Sequence, residues 1–173
     1  MVIGRRKVRH IGSVVLWLGT ATATCAAQAG EWLADKSGCQ VWDSNPRLNE
    51  TVTWSGNCSH GHADGFGTVQ WLQDNKLIET DKGEWHDGRQ VGEGVQDWPT
   101  GHYQGELADG VPNGKGVLTL QKFRYQGQFH DGKPNGSGSL TGGDQAVEGT
   151  WKDGCLQGGK RKASIGIPLS QCR

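Results

Sequence analysis

The chain has 173 residues, including 29 glycines, and only 8% of it is aromatic. That length allows one domain of ordinary size, while so much glycine and so few rings exclude a thick enclosed core. Lysines plus arginines and aspartates plus glutamates stand at 18 each, but this zero net charge is unevenly placed along the chain.

The imbalance begins at the first residues. Gly4-Arg5-Arg6-Lys7-Val8-Arg9 is a basic stretch, Ile11 to Leu18 is a short apolar run, and Ala27-Gln28-Ala29 is a small-residue cleavage signal. Together they predict a secretory signal peptide over residues 1–29, cut after Ala29. The apolar run is too short to span a bilayer. Arg5-Arg6 lacks the apolar residues that follow a twin-arginine signal, and Thr22-Ala23-Thr24 is a poor context for lipidation of Cys25, so the general secretory route is expected. Cleavage removes Arg5, Arg6, Lys7 and Arg9 and no acid, leaving 14 basic against 18 acidic residues, a net charge near −4. The expected location is the periplasm of a bacterium or the secreted medium. A slightly acidic mature chain, with Lys160-Arg161-Lys162 as its only basic run, disfavours nucleic-acid binding.

Residues 30–51 read as an N-terminal cap, irregular around Asn45-Pro46-Arg47. From Val52 to Gly159 the chain is repetitive. Tyr103-Gln-Gly-Glu-Leu-Ala-Asp-Gly-Val-Pro-Asn-Gly-Lys-Gly-Val-Leu-Thr-Leu is written again from Tyr125 as Tyr-Gln-Gly-Gln-Phe-His-Asp-Gly-Lys-Pro-Asn-Gly-Ser-Gly-Ser-Leu-Thr-Gly. A period of this size signals a stacked array. Three degenerate copies surround these two. One runs from Trp54 to Gly67, and another starts at Lys82-Gly83-Glu84-Trp85 with Asp81 where the tyrosine belongs. The last opens at Val147-Glu148-Gly149-Thr150-Trp151 and loses its Gly-x-Gly step. The first two copies are five residues further apart than the period, which predicts a longer connection near Gln73 to Thr80.

The phrase [Tyr/Trp]-x-Gly-x-[Trp/Phe/Leu]-x-Asp-Gly-x-x-x-Gly-x-Gly resembles the MORN repeat. The resemblance covers residues 52–159 and points to an exported bacterial MORN-repeat protein. It implies protein–protein contact and assembly, with lipid headgroup binding also proposed for the family.

Read with period 2, each half of the phrase is a half-buried strand, and Asp-Gly between the halves supplies the positive φ of a tight turn. The expected fold is all-β, an elongated single-layer antiparallel sheet of stacked hairpins. Rings and glycines share one face, and Ser, Thr, Gln and Glu the other. A lone hairpin is marginal in water, so Trp85, Leu107, Phe129 and Trp151 are expected to stack as one column. Residues 160–173 form a C-terminal tail, in which Ile165, Ile167 and Leu169 alternate like a last strand covering the open edge.

Without Cys25 the exported chain keeps Cys39, Cys58, Cys155 and Cys172, an even number that reads as two disulfides. Three pairings are possible. An extended array holds Cys39 and Cys58 at one end and Cys155 and Cys172 at the other, which selects the local pairs. Each would contribute about 3 kcal/mol by loop-closure entropy.

No catalytic, cofactor-binding or metal-binding residues emerge. The Gly-x-Gly steps lack the helix of a dinucleotide fingerprint, and the turn aspartates Asp87, Asp109, Asp131 and Asp153 are what tight turns select. His60 and His62 lack a third ligand. Glu84 and Glu106 would stand on an open sheet that cannot exclude water. Function is therefore assigned to a binding surface at Tyr103, Tyr125, Trp85, Glu106, Gln126 and Gln128. The reading is a non-enzymatic envelope protein whose repeat sheet binds or scaffolds another envelope protein, in one specific form as antagonist of a toxin or hydrolase. The alternatives are a membrane-surface module led by Lys160-Arg161-Lys162, for which three cations are few, and an envelope enzyme with an unrecognised site.

Overall fold

The computed structural model describes residues 30–143, 145–158 and 162–172. The proposed leader and the Lys160-Arg161 pair of the basic run lie outside these residues.

The described strands are β1 (Glu31–Ala34), β2 (Gln40–Asp43), β3 (Glu50–Trp54), β4 (Asn57–Ser59), β5 (His62–Gln73), β6 (Lys76–His86), β7 (Arg89–Trp98), β8 (Gly101–Ala108), β9 (Val111–Leu120), β10 (Phe123–His130), β11 (Lys133–Gly142), β12 (Gln145–Lys152) and β13 (Cys155–Leu156). They form one open sheet in which β5 to β13 follow chain order, β3 and β4 both pair with β5, and β1 and β2 close the N-terminal end. Pairing is antiparallel except where Gln40 of β2 meets His62 of β5.

Each unit turns on Asp-Gly with both residues at positive φ: Asp109 at 53° and Gly110 at 76°, Asp131 at 47° and Gly132 at 73°. This is the primed turn whose twist matches that of the flanking strands. The turn also ties one unit to the preceding one. Gly110 N–H donates to the Gln90 carbonyl, Gly132 N–H to Pro112 and Gly154 N–H to Pro134, each at 2.9 Å.

Register slips inside each hairpin, between Gly83 and Glu84, Gly105 and Leu107, and Gly127 and Phe129. A bulge bends its strand and raises the local twist, so the hairpin folds over on itself and its rings turn inward. The Tyr103 ring covers Gly105 and Gly116, and Tyr125 covers Gly127 and Gly138, at positions where an added Cβ would strike the ring. The resulting column differs from a stack of Trp85, Leu107, Phe129 and Trp151. Tyrosines interleave with it: Tyr103–Phe129, Phe129–Tyr125 and Tyr125–Trp151 meet edge to face at 5.2 Å. The bend brings the tyrosine of one unit under the ring of the next.

Two other expectations are corrected. The five extra residues between the first two copies form no long connection. They lengthen β5 and β6, which meet at a two-residue turn, Asp74-Asn75. The tail makes no last strand, because Gly166 sits at φ 77° and Pro168 has no N–H to donate. Instead Ile165 buries itself in the core and donates its N–H to Gly154, while residues Leu169–Gln171 form a 3₁₀ turn.

The disulfides pair Cys39 with Cys58 and Cys155 with Cys172, with Cα atoms 5.8 Å and 5.6 Å apart. They fasten the two ends of the array. Two core clusters lie between them, one around Val41, Val52, Val69, Trp71 and Trp85, the other around Tyr103, Tyr125, Phe129, Trp151 and Ile165.

Candidate binding site

Concave surfaces arise where the hairpins bend and where the cap closes over them. The first lies on the polar face, a shallow trough of about 670 Å³ lined by Glu93, Gln104, Lys115, Gln126, Gln128 and Ser137. Side chains on this face also serve the backbone. The Glu106 carboxylate accepts from the Lys115 N–H at 2.9 Å, and Gln128 Oε1 accepts from the Ser137 N–H at 3.0 Å. In both cases a side chain just before the ring position pairs an amide next to the bulge, where the ladder is interrupted.

The second surface is a groove on the ring face, about 580 Å³ in volume and mostly apolar, with Ile78, Trp98, Pro99 and Leu118 along it and Arg47 and Glu79 at one end. Tyr103, Tyr125 and Trp85, expected as binding rings, do not stand free. All three are buried, Tyr125 completely: the two tyrosines lie over glycine backbone beside their bulges, and Trp85 meets Trp54 edge to face. Their hydroxyls are committed: Tyr103 donates to the Glu106 carbonyl at 2.9 Å and Tyr125 to the Gln128 carbonyl at 3.2 Å. Burial pushes the Tyr125 pKa up to about 12 and that of Tyr103 higher still, so both stay neutral donors.

The third surface is a polar pocket of about 220 Å³ under the N-terminal cap, reached where Arg47, Glu79 and Gln96 border the groove. Asp43, Glu50, Glu79, Asp81 and Asp109 line it, with Arg47 as the sole cation among its lining residues. Arg47 Nη1 meets Glu50 at 3.0 Å and Nη2 meets Glu79 at 3.5 Å. Asp81 is 4% exposed and accepts from Trp71 Nε1 at 2.7 Å.

The family model of the MORN repeat matches three consecutive stretches, residues 82–102, 103–122 and 125–147. The chain is a MORN-repeat protein. No curated protein matches it significantly.

In the two regular MORN units, Tyr103 pairs across the hairpin with Leu118 and Tyr125 with Leu140. The corresponding pair in the unit before them is Asp81 and Gln96. Gln90 stands where those units have Pro112 and Pro134. Three apolar core positions of the repeat are thus polar together in one unit, and the two glutamines bond to each other. Gln96 Nε2 donates to Gln90 Oε1 at 3.2 Å and to the Gly110 carbonyl at 2.9 Å, and Gln90 Nε2 donates to the Lys82 carbonyl at 3.2 Å. The side chain of Gln90 covers Gly83 and Gly94, as the tyrosine rings cover their glycines in the later units.

The pocket is therefore lined where a repeat tyrosine would stand. Sequence reasoning noticed Asp81 as an irregular copy and missed the site. The signal was present at the same period, in Gln90 against two prolines and Gln96 against two leucines. Burial raises the pKa of Asp81 well above the carboxylate range, with Glu79 adding repulsion, and burial also raises Glu79 and Glu50, the latter beside the Asp43 carboxylate.

Proposed function

We propose that this MORN-repeat protein works in the periplasm or outside the cell as a non-enzymatic binding module, with the ring-face groove as its principal surface for another protein. MORN repeats suggest protein or membrane binding. The observation that carries the protein reading is the groove itself: a mostly apolar concave surface crossing from β6 and β7 to the Leu118 strand, bordered at one end by charged side chains. Two disulfides suit an oxidising compartment. The leader read in residues 1–29 supplies the export route. One form of this function is antagonism of an exported toxin or hydrolase.

The test places a photo-crosslinking residue at Leu118 in the groove and, separately, at Gln126 on the opposite face, in cells that express the protein at its native level. Crosslinking to a defined protein from the groove, followed by graded affinity losses for Ile78→Ala, Trp98→Ala and Leu118→Ala, is the expected result. Hot-spot truncations of this kind commonly cost about 1 to 4 kcal/mol. An outcome in which one carboxylate abolishes an activity outright, while the groove can be altered freely, would sink the reading.

A further inference from the structure

We propose that the polar pocket under the N-terminal cap is a receptor for an arginine side chain of the protein partner, whose flanking apolar residues lie in the ring-face groove. This rests on the binding-module reading above and adds the chemistry of the ligand.

Charge gives the first argument. Five acids and one arginine line the pocket, and Arg47 is already engaged by Glu50 and Glu79. Carboxylates enclosed at low dielectric are costly unless a cation or a proton accompanies them. The raised pKa values of Asp81, Glu50 and Glu79 record that cost, caused chiefly by burial.

Unpaired atoms give the second, independent argument. Asp43 Oδ2, Asp81 Oδ1 and Trp85 Nε1 are buried side-chain atoms without a hydrogen-bond partner among the described residues. Their residues are 9%, 4% and 2% exposed, and all three line the pocket. The pocket thus presents two open acceptors and one open donor. A guanidinium brings several donors in a planar fork and suits carboxylates that it can bridge. Trp85 asks for an acceptor, which the peptide carbonyl beside an arginine supplies and a bare metal ion does not. No three carboxylate or imidazole groups among the described residues are placed to hold a metal ion, so the ligand is a larger, multi-point cation.

Continuity gives the third. Arg47, Glu79 and Gln96 border both the pocket and the groove, so a side chain projecting from a peptide in the groove meets the carboxylates at its end.

The test uses the full mature protein and two peptides, acetyl-Leu-Arg-Leu-amide and acetyl-Leu-citrulline-Leu-amide, which match in shape and differ in charge. Binding is read at millimolar peptide by titration of the indole N–H resonances, assigned through Trp71→Phe and Trp85→Phe. The arginine peptide should move the Trp85 and Trp71 signals saturably. Citrulline should bind about tenfold more weakly or worse, as the loss of a charge-assisted hydrogen bond predicts. Asp81→Asn, which removes charge without changing shape, and Glu79→Gln, at the pocket's more exposed side, should each weaken the arginine peptide by a similar factor while keeping the folded spectrum. Equal binding of the two peptides overturns the proposal. So does an unaltered affinity in both variants, displacement of the arginine peptide by low-millimolar calcium, or no indole shift at all. Those results leave the groove reading standing, because its own variants, Trp98→Ala and Leu118→Ala, are scored against the crosslinked partner.

Discussion

The unit that opens with Asp81 and the two units that open with Tyr103 and Tyr125 share one backbone and fill it differently. Each has the Asp-Gly turn, the bulge after the first Gly-x step, and a turn amide bonded to the unit before it. In the later units the space over the glycines holds a tyrosine ring packed edge to face on Phe129. In the earlier unit Gln90 covers the glycines and bonds to Gln96, while Asp81 accepts from Trp71 beneath the cap. Every buried polar or charged side chain among the described residues, Asp43, Glu50, Asp81, Gln90 and Gln96, lies before Trp98. The scaffold of a MORN unit therefore resides in its glycines and turn, while its core position can be exchanged for a polar site, provided several residues change together.

The largest loss is expected for Tyr125→Asp, which transplants the carboxylate without its glutamines. It removes a ring at the centre of the interleaved column and leaves a charge among rings. Removing an enclosed ring costs about 3 to 5 kcal/mol before the charge is counted, so thermal melts should show the variant near or below its stability limit. A loss comparable to that of a surface substitution would mean that the column is not the core of the later units.

Next in size are the disulfides that fasten the two ends. The double change Cys155→Ser and Cys172→Ser should lower stability by about 3 kcal/mol by the loop-closure argument. It should also expose the last units first, which hydrogen exchange reads directly. Uniform loss of protection along the sheet would contradict the view that the C-terminal staple acts locally.

A smaller effect, of opposite sign, is expected for Asp81→Asn. Its carboxyl has a raised pKa in the folded chain, from burial first and then from Glu79 and Asp97, opposed by Trp71 and Arg47. A raised folded pKa means that stability is fullest below the ordinary carboxylate value, about 4, and declines as pH rises from there. Glu50 and Glu79 shift in the same direction. Asp81→Asn should flatten the decline and stabilise the protein at neutral pH by about 1 kcal/mol, the scale of one unmet polar group. Denaturant midpoints measured from pH 4 to 8 decide it, and an unchanged slope would place the titration elsewhere.

The smallest effect concerns the polar face. Gln128→Ala deletes the exposed bond to the Ser137 amide and should cost about 0.5 kcal/mol. Gln126→Ala, whose side chain accepts from Arg124 on an exposed surface, should change the melting temperature little. Equal losses would show that the bulge does not need its side-chain cap.

Much of this architecture could be read in the chain before any coordinates. The spacing of Tyr103 and Tyr125, the Asp-Gly pairs and the Gly-x-Gly steps are local signals, because turn chemistry and strand alternation act between residues a few positions apart. They determined the hairpins, the two-faced sheet, the stacking order and, through that order, the pairing of Cys39 with Cys58 and Cys155 with Cys172. Tertiary structure decided what alternation cannot express. Period 2 assigns a face but not a bend, so the sequence placed Tyr103 and Tyr125 on a binding surface, whereas the bulges fold them into the core. It placed Ile165, Ile167 and Leu169 in a strand, whereas the backbone demands of Gly166 and Pro168 broke it. The acid pocket lay furthest from local reading, since Asp43, Glu50, Asp81 and Gln96 come from four separate strands. Their shared desolvation exists only once the cap closes over the unit that lacks its tyrosine.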